Sequence, residues 1–299
     1  MVDIRQSVHF ANYLKRLGWT VERIGEINYF IKKMPIVGSI LKLQRPEEIR
    51  MDTIQKLSQK YGVFQIVVEP SLSSYIGPLE DRRNLMLAHG FKLSKSTYLP
   101  SKTLQIDLTR SKEDILQNFK KDARQAIRKT EGPERSRMGK GLFIKEYSTP
   151  DEIKIFREGW KKSVKFDRYV PSTEQLIKLK RSFPYSKSLF LASHNISGRI
   201  MGGVIFTTSS HERSNYITYY WQAFTNPEGR STLSQYSLLW RGILWAKKQG
   251  YKIFDFEGIF DPRFPNKSWL GFTHFKGSFG GYEVEYPGCF IKNRLPFKS

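Results

Sequence analysis

The chain is 299 residues long, 39% apolar and 14% aromatic, enough for one large folded unit or two of ordinary size, and this excludes a disordered protein. Its 50 lysines and arginines against 28 aspartates and glutamates leave a net charge of +22, which points to nucleic acid, phosphorylated small molecules or an anionic membrane surface. A single cysteine, Cys289, excludes an internal disulfide and suits a reducing cytoplasm, the charged start MVDIRQSVHF reads as no signal peptide, and no run approaches the ~20 apolar residues of a membrane span.

His9 to Leu17 has helical spacing, with Phe10, Tyr13, Leu14 and Leu17 on one face and Gly18 as a stop. Strands are predicted over Thr20–Ile24, Glu26–Lys32 and Val37–Leu43. A helix over Glu47–Tyr61 follows, then an apolar strand over Val63–Val68 ending at Glu69-Pro70, a helix over Leu79–His89 and a strand over Thr103–Leu108. One helix is predicted from Lys112 to Lys129, capped by Ser111, with Ile115, Phe119, Ala123 and Ile127 as its apolar stripe. Its other side carries Lys120, Arg124 and Arg128, with Lys121 and Lys129 beside them. Such a face is either solvated or lies on a phosphate backbone. Acids are missing from its second half and a basic glycine loop, Gly132–Gly141, follows, which favours phosphate.

A second unit starts at Gly141: a strand over Leu142–Tyr147, then Thr149-Pro150-Asp151-Glu152 as a strong helix start, the helix running to Ser163. After the loop Lys165–Pro171 and a helix to Arg181 come strands over Leu189–Ser193, Arg199–Thr207 and Asn215–Phe224. A long helix over Ser231–Gln249 and a buried strand over Ile253–Phe256 close the unit. Beyond a Pro-rich loop, Phe275 and Lys276 precede Gly277, Gly280 and Gly281. A lysine held among aromatics in a glycine-built groove suits a developing oxyanion or a phosphate. A solvated lysine on a β-hairpin is the competing reading of the same residues.

Other chemistries find no support. Cys289 has no histidine at a telling spacing, G-x-S-x-G and a Walker loop are absent, and the five histidines (His9, His89, His194, His211, His274) lack metal-ligand spacing. Neither a metal nor a cofactor is expected.

DFEGI followed by FKxxFGGxxVEYPG, over Asp255–Gly288, resembles the C-terminal signature of the Fem-type (FemABX) transferases, which move an amino acid from aminoacyl-tRNA onto the stem peptide of a peptidoglycan precursor. Four further stretches resemble the family in the right order: Phe10–Val21 its opening helix and LGW turn, Arg45-Pro46 its RGP, Val67–Pro70 its strand ending in an acid and proline, and Leu104–Gly132 its strand and basic helix. The resemblance implies an α+β chain of two tandem GNAT-like acyltransferase domains, residues 1–141 with a C-terminal strand over 288–299, and residues 142–287. It implies Phe275 and Lys276 at the tRNA acceptor end, Lys276 also stabilising the reacting ester, and Glu69 where the family's acid before proline, usually Asp, accepts or orients the amine's proton. It further implies Lys15 or Arg16 together with Arg168 and Tyr169 as holders of a nucleotide- or lipid-linked precursor. The strand aromatics Tyr219, Tyr220 and Trp221 either line the cleft or pack in the core. Glu257 stands where the family has a glycine. The expected setting is the cytoplasm, with peripheral contact to the inner face of an anionic membrane as an addition its charge suits.

Three rivals stand beside this reading. An ordinary acyl-CoA enzyme of the GNAT type needs a glycine-rich pyrophosphate turn, and Asn226–Ser231, with one glycine and one acid, is a poor one. An RNA-binding protein without activity explains the charge but not the Phe275–Lys276 segment. Transfer from tRNA to a protein, lipid or other amine is barely separated from the first choice.

Overall fold

The computed structural model describes residues 2–72, 79–131, 142–165, 168–211 and 214–294. In chain order its helices are α1 (Val8–Arg16), α2 (Met51–Lys60), α3 (Leu79–Ala88), α4 (Lys112–Gln117), α5 (Lys121–Glu131), α6 (Pro150–Ser163), α7 (Thr173–Ser182), α8 (Pro227–Ser231), α9 (Ser234–Lys248) and α10 (Leu270–Gly277). The strands are β1 (Thr20–Ile24), β2 (Ile27–Met34), β3 (Gly38–Gln44), β4 (Val63–Glu69), β5 (Lys92–Leu93), β6 (Lys102–Asp107), β7 (Phe143–Glu146), β8 (Ser188–His194), β9 (Ile200–His211), β10 (Ser214–Thr225), β11 (Ile253–Gly258), β12 (Tyr282–Glu285) and β13 (Phe290–Asn293).

They form two sheets. The first has the order β1-β2-β3-β4-β13-β5, the second β12-β6-β11-β10-β9-β8-β7. Each is antiparallel except for one pair: β3 runs parallel to β4 across α2, and β10 parallel to β11 across α9. A repeat without shared motifs thus emerges, three antiparallel strands, a helix and a parallel fourth strand. The fold is α/β with two such units.

Local chemistry explains the helix starts. Ser111 accepts from the Asp114 amide, and Thr149 with Glu152 closes a reciprocal capping box behind Pro150. One predicted helix comes out broken. Residues 112–131 kink at Asn118–Lys120, because Phe119 turns into an aromatic cluster 5.1 Å from Phe279 and 5.6 Å from Trp240, and the Lys120 amide leaves the helix for the Ser278 carbonyl at 2.8 Å. The long helix predicted over Ser231–Gln249 begins at Ser234, because Leu233, with a φ of +57°, separates it from the short α8.

Sheet membership also differs from expectation. β6, α4 and α5, read as parts of the first unit, belong to the second: β6 pairs with β11 and β12, and Ile115, Phe119, Ala123 and Ile127 share a core with Leu238 and Ile243. Periodicity marks a strand without saying which sheet it joins. β13 lies between β4 and β5 in the first sheet. The loop Gly132–Gly141 lies outside the described residues, as do 295–299 of the C-terminal segment.

Helix α10 is carried by close approaches of the chain. Gly280 and Gly281 have φ of +67° and +96°, and a Cβ on Gly281 would stand 2.3 Å from the Gln105 carbonyl oxygen of β6. Only glycine fits there. Gly281→Ala is expected to lower stability by about 1–3 kcal/mol in denaturant unfolding.

Candidate active site

β10 and β11 pair at three positions only, Ile217 with Ile253, Thr218 with Phe254 and Tyr219 with Asp255. Beyond them the strands part: β10 continues along β9 through a bulge after Tyr220, while β11 bulges between Asp255 and Gly258 against β6. Residues next to this gap serve its two sides in turn, because side chains alternate along a strand.

On one side stands Lys276. The segment Leu270–Gly277 is a helix and not the β-hairpin of the competing reading: half-buried Phe275 near its end and buried Phe279 just past it both pack on Tyr236, and Phe279 also on Phe119. From α10 the Lys276 Nζ donates to the Gly258 carbonyl at 2.5 Å and lies 5.7 Å from the ring of Tyr220. Burial lowers its pKa to about 8, against the raising effect of the Glu257 and Asp255 charges. Tyr220 accepts from Gln235 Nε2 at 2.9 Å, and burial pushes its hydroxyl well up. Gly258 has no room for a side chain, since a Cβ would meet Trp269 at 2.1 Å, and beside it a cleft of about 460 Å³ opens between Lys95–Ser101 and the 259–269 loop.

The other side is filled by the N-terminal segment, where Asp3 to Ser7 are all buried. The Arg5 guanidinium is 3.0 Å from the Glu257 carboxylate and 3.4 Å from Asp3, and lies 5.1 Å from the Trp221 ring. Burial opposes its charge, but Glu257 and Asp3 more than offset this and hold its pKa well above the ordinary value. Asp255 accepts from Thr103 Oγ1 at 2.5 Å, Gln105 Nε2 at 2.7 Å and the Glu257 amide at 2.7 Å. Burial nevertheless pushes its pKa upward, with the Glu257 charge adding to it. Glu257 has a φ of +59°, a backbone that glycine adopts far more readily, while its side chain meets Arg5.

The residues singled out from sequence fall into groups. Phe275, Lys276 and Tyr220 come together, and through the Lys120–Ser278 bond the start of α5 adjoins them, with Lys120, Lys121, Arg128 and Lys129 exposed. Arg124 departs from expectation, because its guanidinium donates to the Gln117 and Phe119 carbonyls, both at 2.8 Å, and closes the kink. Tyr219 faces away from Lys276: it is buried, accepting from the Ile4 amide at 3.2 Å, 6.0 Å from Arg5. Lys15 and Arg16 end α1, which docks on α7 through His9 and the Ser182 carbonyl. Tyr169 is exposed, donates to Gln175 Oε1 at 3.0 Å, and adds to the burial that pushes Tyr13 of α1 up to about 12, so the 168–172 loop and α1 share a face. Glu69 fits catalysis poorly. It is 1% exposed, and its carboxylate already accepts from the Tyr98 and Leu99 amides and from Gln44. Asp3 and Arg5 escaped sequence reading, since charges near a chain start read as solvated. The signal was Glu257, an acid in a buried strand that needs a cation.

No protein-family model and no curated protein sequence matches the chain. Among solved structures it is similar to FemX, with a TM-score of 0.77 at 14% identity, over 98% of this chain and 92% of that one. The fold is that of FemX. The C-terminal domain of a putative lysylphosphatidylglycerol synthetase from Agrobacterium fabrum follows at 0.59 and 12% identity, over 97% and 89% of the two chains. A tandem GNAT protein from the clavulanic acid biosynthesis pathway aligns at 0.52 and 10%, over 91% and 84%. The Fem-type resemblance of the sequence thus extends to the fold of nearly the whole chain. Among the described residues no group of three or more metal-ligating side chains comes together, and no helix is long and apolar enough to cross a membrane.

The buried Arg5 ties the N-terminal segment to this fold. Arg5→Met is expected to lower stability by about 3–5 kcal/mol, because Glu257 and Asp3 then stay buried without a counter-charge. Adding Glu257→Gly is expected to restore a large part of the loss in the same unfolding measurement, since it removes one stranded acid and suits the positive φ.

Proposed function

We propose that this chain is an aminoacyltransferase that moves an amino acid from aminoacyl-tRNA onto the stem peptide of a peptidoglycan precursor. The observation that carries the reading is Lys276, a cation desolvated between the Tyr220 ring and the Gly258 carbonyl at the gap between β10 and β11, with the basic start of α5 beside it. The full-length likeness to FemX supports it.

The reaction is attack of an amine on an ester carbonyl. The new amide C–N bond forms, the ester C–O bond breaks, and the terminal ribose hydroxyl of tRNA leaves with the proton the amine gives up. A cation beside the carbonyl stabilises the tetrahedral oxyanion and the departing alkoxide, and its partial burial raises that effect. Phe275 offers a ring for the terminal adenine, and the exposed lysines of α5 take the acceptor-stem phosphates. Lys15, Arg16 and Arg168 hold the phosphates of the precursor, bidentately where arginine meets them. The precursor's amine then meets the ester on the Lys276 side of the gap, since the N-terminal segment fills the other. Glu69 takes no part in proton transfer in this scheme, since it holds the Tyr98–Leu99 backbone.

An acyl-CoA donor is disfavoured by a specific observation. Along Asn226–Ser231, which leads into the long helix α9, the Gly229 amide is held by the Asn226 side chain at 2.8 Å, the Arg230 amide by the Asn226 carbonyl, and Glu228 is an acid paired with Arg199. No open cradle of amides remains there for a pyrophosphate.

Purified chain should transfer label from pooled aminoacyl-tRNAs to nucleotide-linked or lipid-linked precursor; tRNA binding without label on either would redirect the acceptor, and no tRNA binding would overturn the reading. Lys276→Met is expected to lower turnover by about 10²–10³ with binding of tRNA retained. Because the Lys276 ammonium is lost as pH rises through about 8, turnover of the native chain should decline there. Lys276→Arg, charged throughout, should lack that decline. Lys121→Glu with Arg128→Glu should weaken tRNA binding and flatten its salt dependence by roughly one log unit per contact removed, measured by filter binding across salt concentrations.

A further inference from the structure

One end of the first sheet carries exposed apolar residues beside lysines. β1, β3 and β4 begin there and β2 and β13 finish there, so the β2–β3 turn stands at its tip. The Val37 amide donates to the Pro35 carbonyl at 2.8 Å, closing a three-residue turn centred on Ile36 with φ of +70°. A β-branched residue is a poor choice at such a position, where glycine or asparagine is usual. Nothing inside the chain rewards the strain, because Ile36 is 104% exposed, with Val37 at 49% and Met34 at 36% beside it. The tip is an apolar point presented to the outside.

Cations surround this point. Lys32 and Lys33 lead into it along β2, and Lys32 Nζ donates to the Gly18 carbonyl at 3.0 Å while lying 5.8 Å from the Trp19 ring. The Ser39 amide, just past the turn, donates to the Gly62 carbonyl at 3.0 Å, which places the end of α2 with Lys60 alongside. The acid at this end, Glu22, is taken by Lys60 at 2.6 Å and by Tyr61.

We propose that this tip is a docking point for an anionic bilayer, Ile36 and Val37 entering the headgroup layer while the lysines and Trp19 stay at its surface. RNA would account for the lysines but has no interior for an exposed isoleucine to enter. A protein pocket would account for the isoleucine but not for a ring of cations around it. A bilayer with negative headgroups accounts for both, since apolar insertion and attraction to anionic lipid act together and lysine stems reach back to the phosphates. The docking does not depend on the proposed transfer reaction. Its corollary does: Lys15 and Arg16 end the helix that runs into Gly18 and Trp19 at this same end, so a precursor held by them would be presented from the bilayer, lipid-linked.

The test is co-sedimentation of the full chain with vesicles of phosphatidylcholine and phosphatidylglycerol, free of precursor and tRNA, so that its outcome is separate from that of the transfer assay. The native chain should bind. Ile36→Gly should bind at least about tenfold more weakly, the scale of losing part of one buried aliphatic side chain. Because glycine suits the turn, the thermal midpoint should hold or rise, which sets unfolding aside. Ile36→Gly with Val37→Ser should weaken binding further, whereas Ile196→Ser, an isoleucine 75% exposed in the β8–β9 turn, should leave it unchanged. Native binding by the Ile36→Gly, Val37→Ser chain would overturn the proposal, leaving net charge as the only attraction. Equal binding to vesicles of phosphatidylcholine alone, or self-association dispersed by Ile36→Gly, would overturn it in favour of another partner.

Discussion

The parting of β10 from β11 is the constraint on which this molecule turns. A sheet whose central strands diverge leaves backbone carbonyls and amides without ladder partners, and such groups must be met or left wet. Here Lys276 satisfies the Gly258 carbonyl from one side, and the N-terminal segment seals the other through Ile4, whose amide reaches Tyr219, and Arg5. The bulge that ends the pairing also holds Glu257 at positive φ and turns its amide toward Asp255. Site and strain share one origin.

Electrostatics then link the two sides. Asp255 and Glu257 are close enough to act on Lys276, and left to themselves two carboxylates beside one ammonium would quench its charge. Arg5 engages Glu257 and Asp3, and Thr103 and Gln105 engage Asp255, so the acids are occupied before the lysine is reached. What remains is a cation that leans on an aromatic face and one carbonyl. Glu257 in the bulge thus comes with its own compensation, the buried Arg5 of the N-terminal segment.

Much of this was legible in the sequence. Capping residues placed the starts of α4 and α6, because a cap is a local hydrogen bond that needs no tertiary partner. Alternation and apolar runs found the strands for the same reason. The basic face of α5 and the Phe275–Lys276 pair were also visible, the latter through its neighbours in the Fem-type pattern. What stayed hidden depends on contacts distant in sequence. Phe119 breaks its helix to reach Phe279 and Trp240, β6 joins β11 rather than the strands before it, and Phe275 is helical because Tyr236 awaits it. Arg124 and Glu69 show the same limit on side chains. Each has a charge that suggests a ligand, and each is engaged by backbone groups that no pattern in the sequence marks.

The place of β13 sets the order in which this chain is completed on the ribosome. β5 ends at Leu93, yet the strand that separates it from β4 begins at Phe290, after the whole second sheet. At ordinary rates of synthesis that interval is roughly 10–40 s. Throughout it, the apolar edge of β4, with Val67 and Val68, lacks its neighbour and is open to pairing with other chains. The second unit, whose strands are contiguous from β6 to β12, has all of its strands synthesised before β13. The first half of the sequence is therefore the last part of the molecule to become a finished sheet.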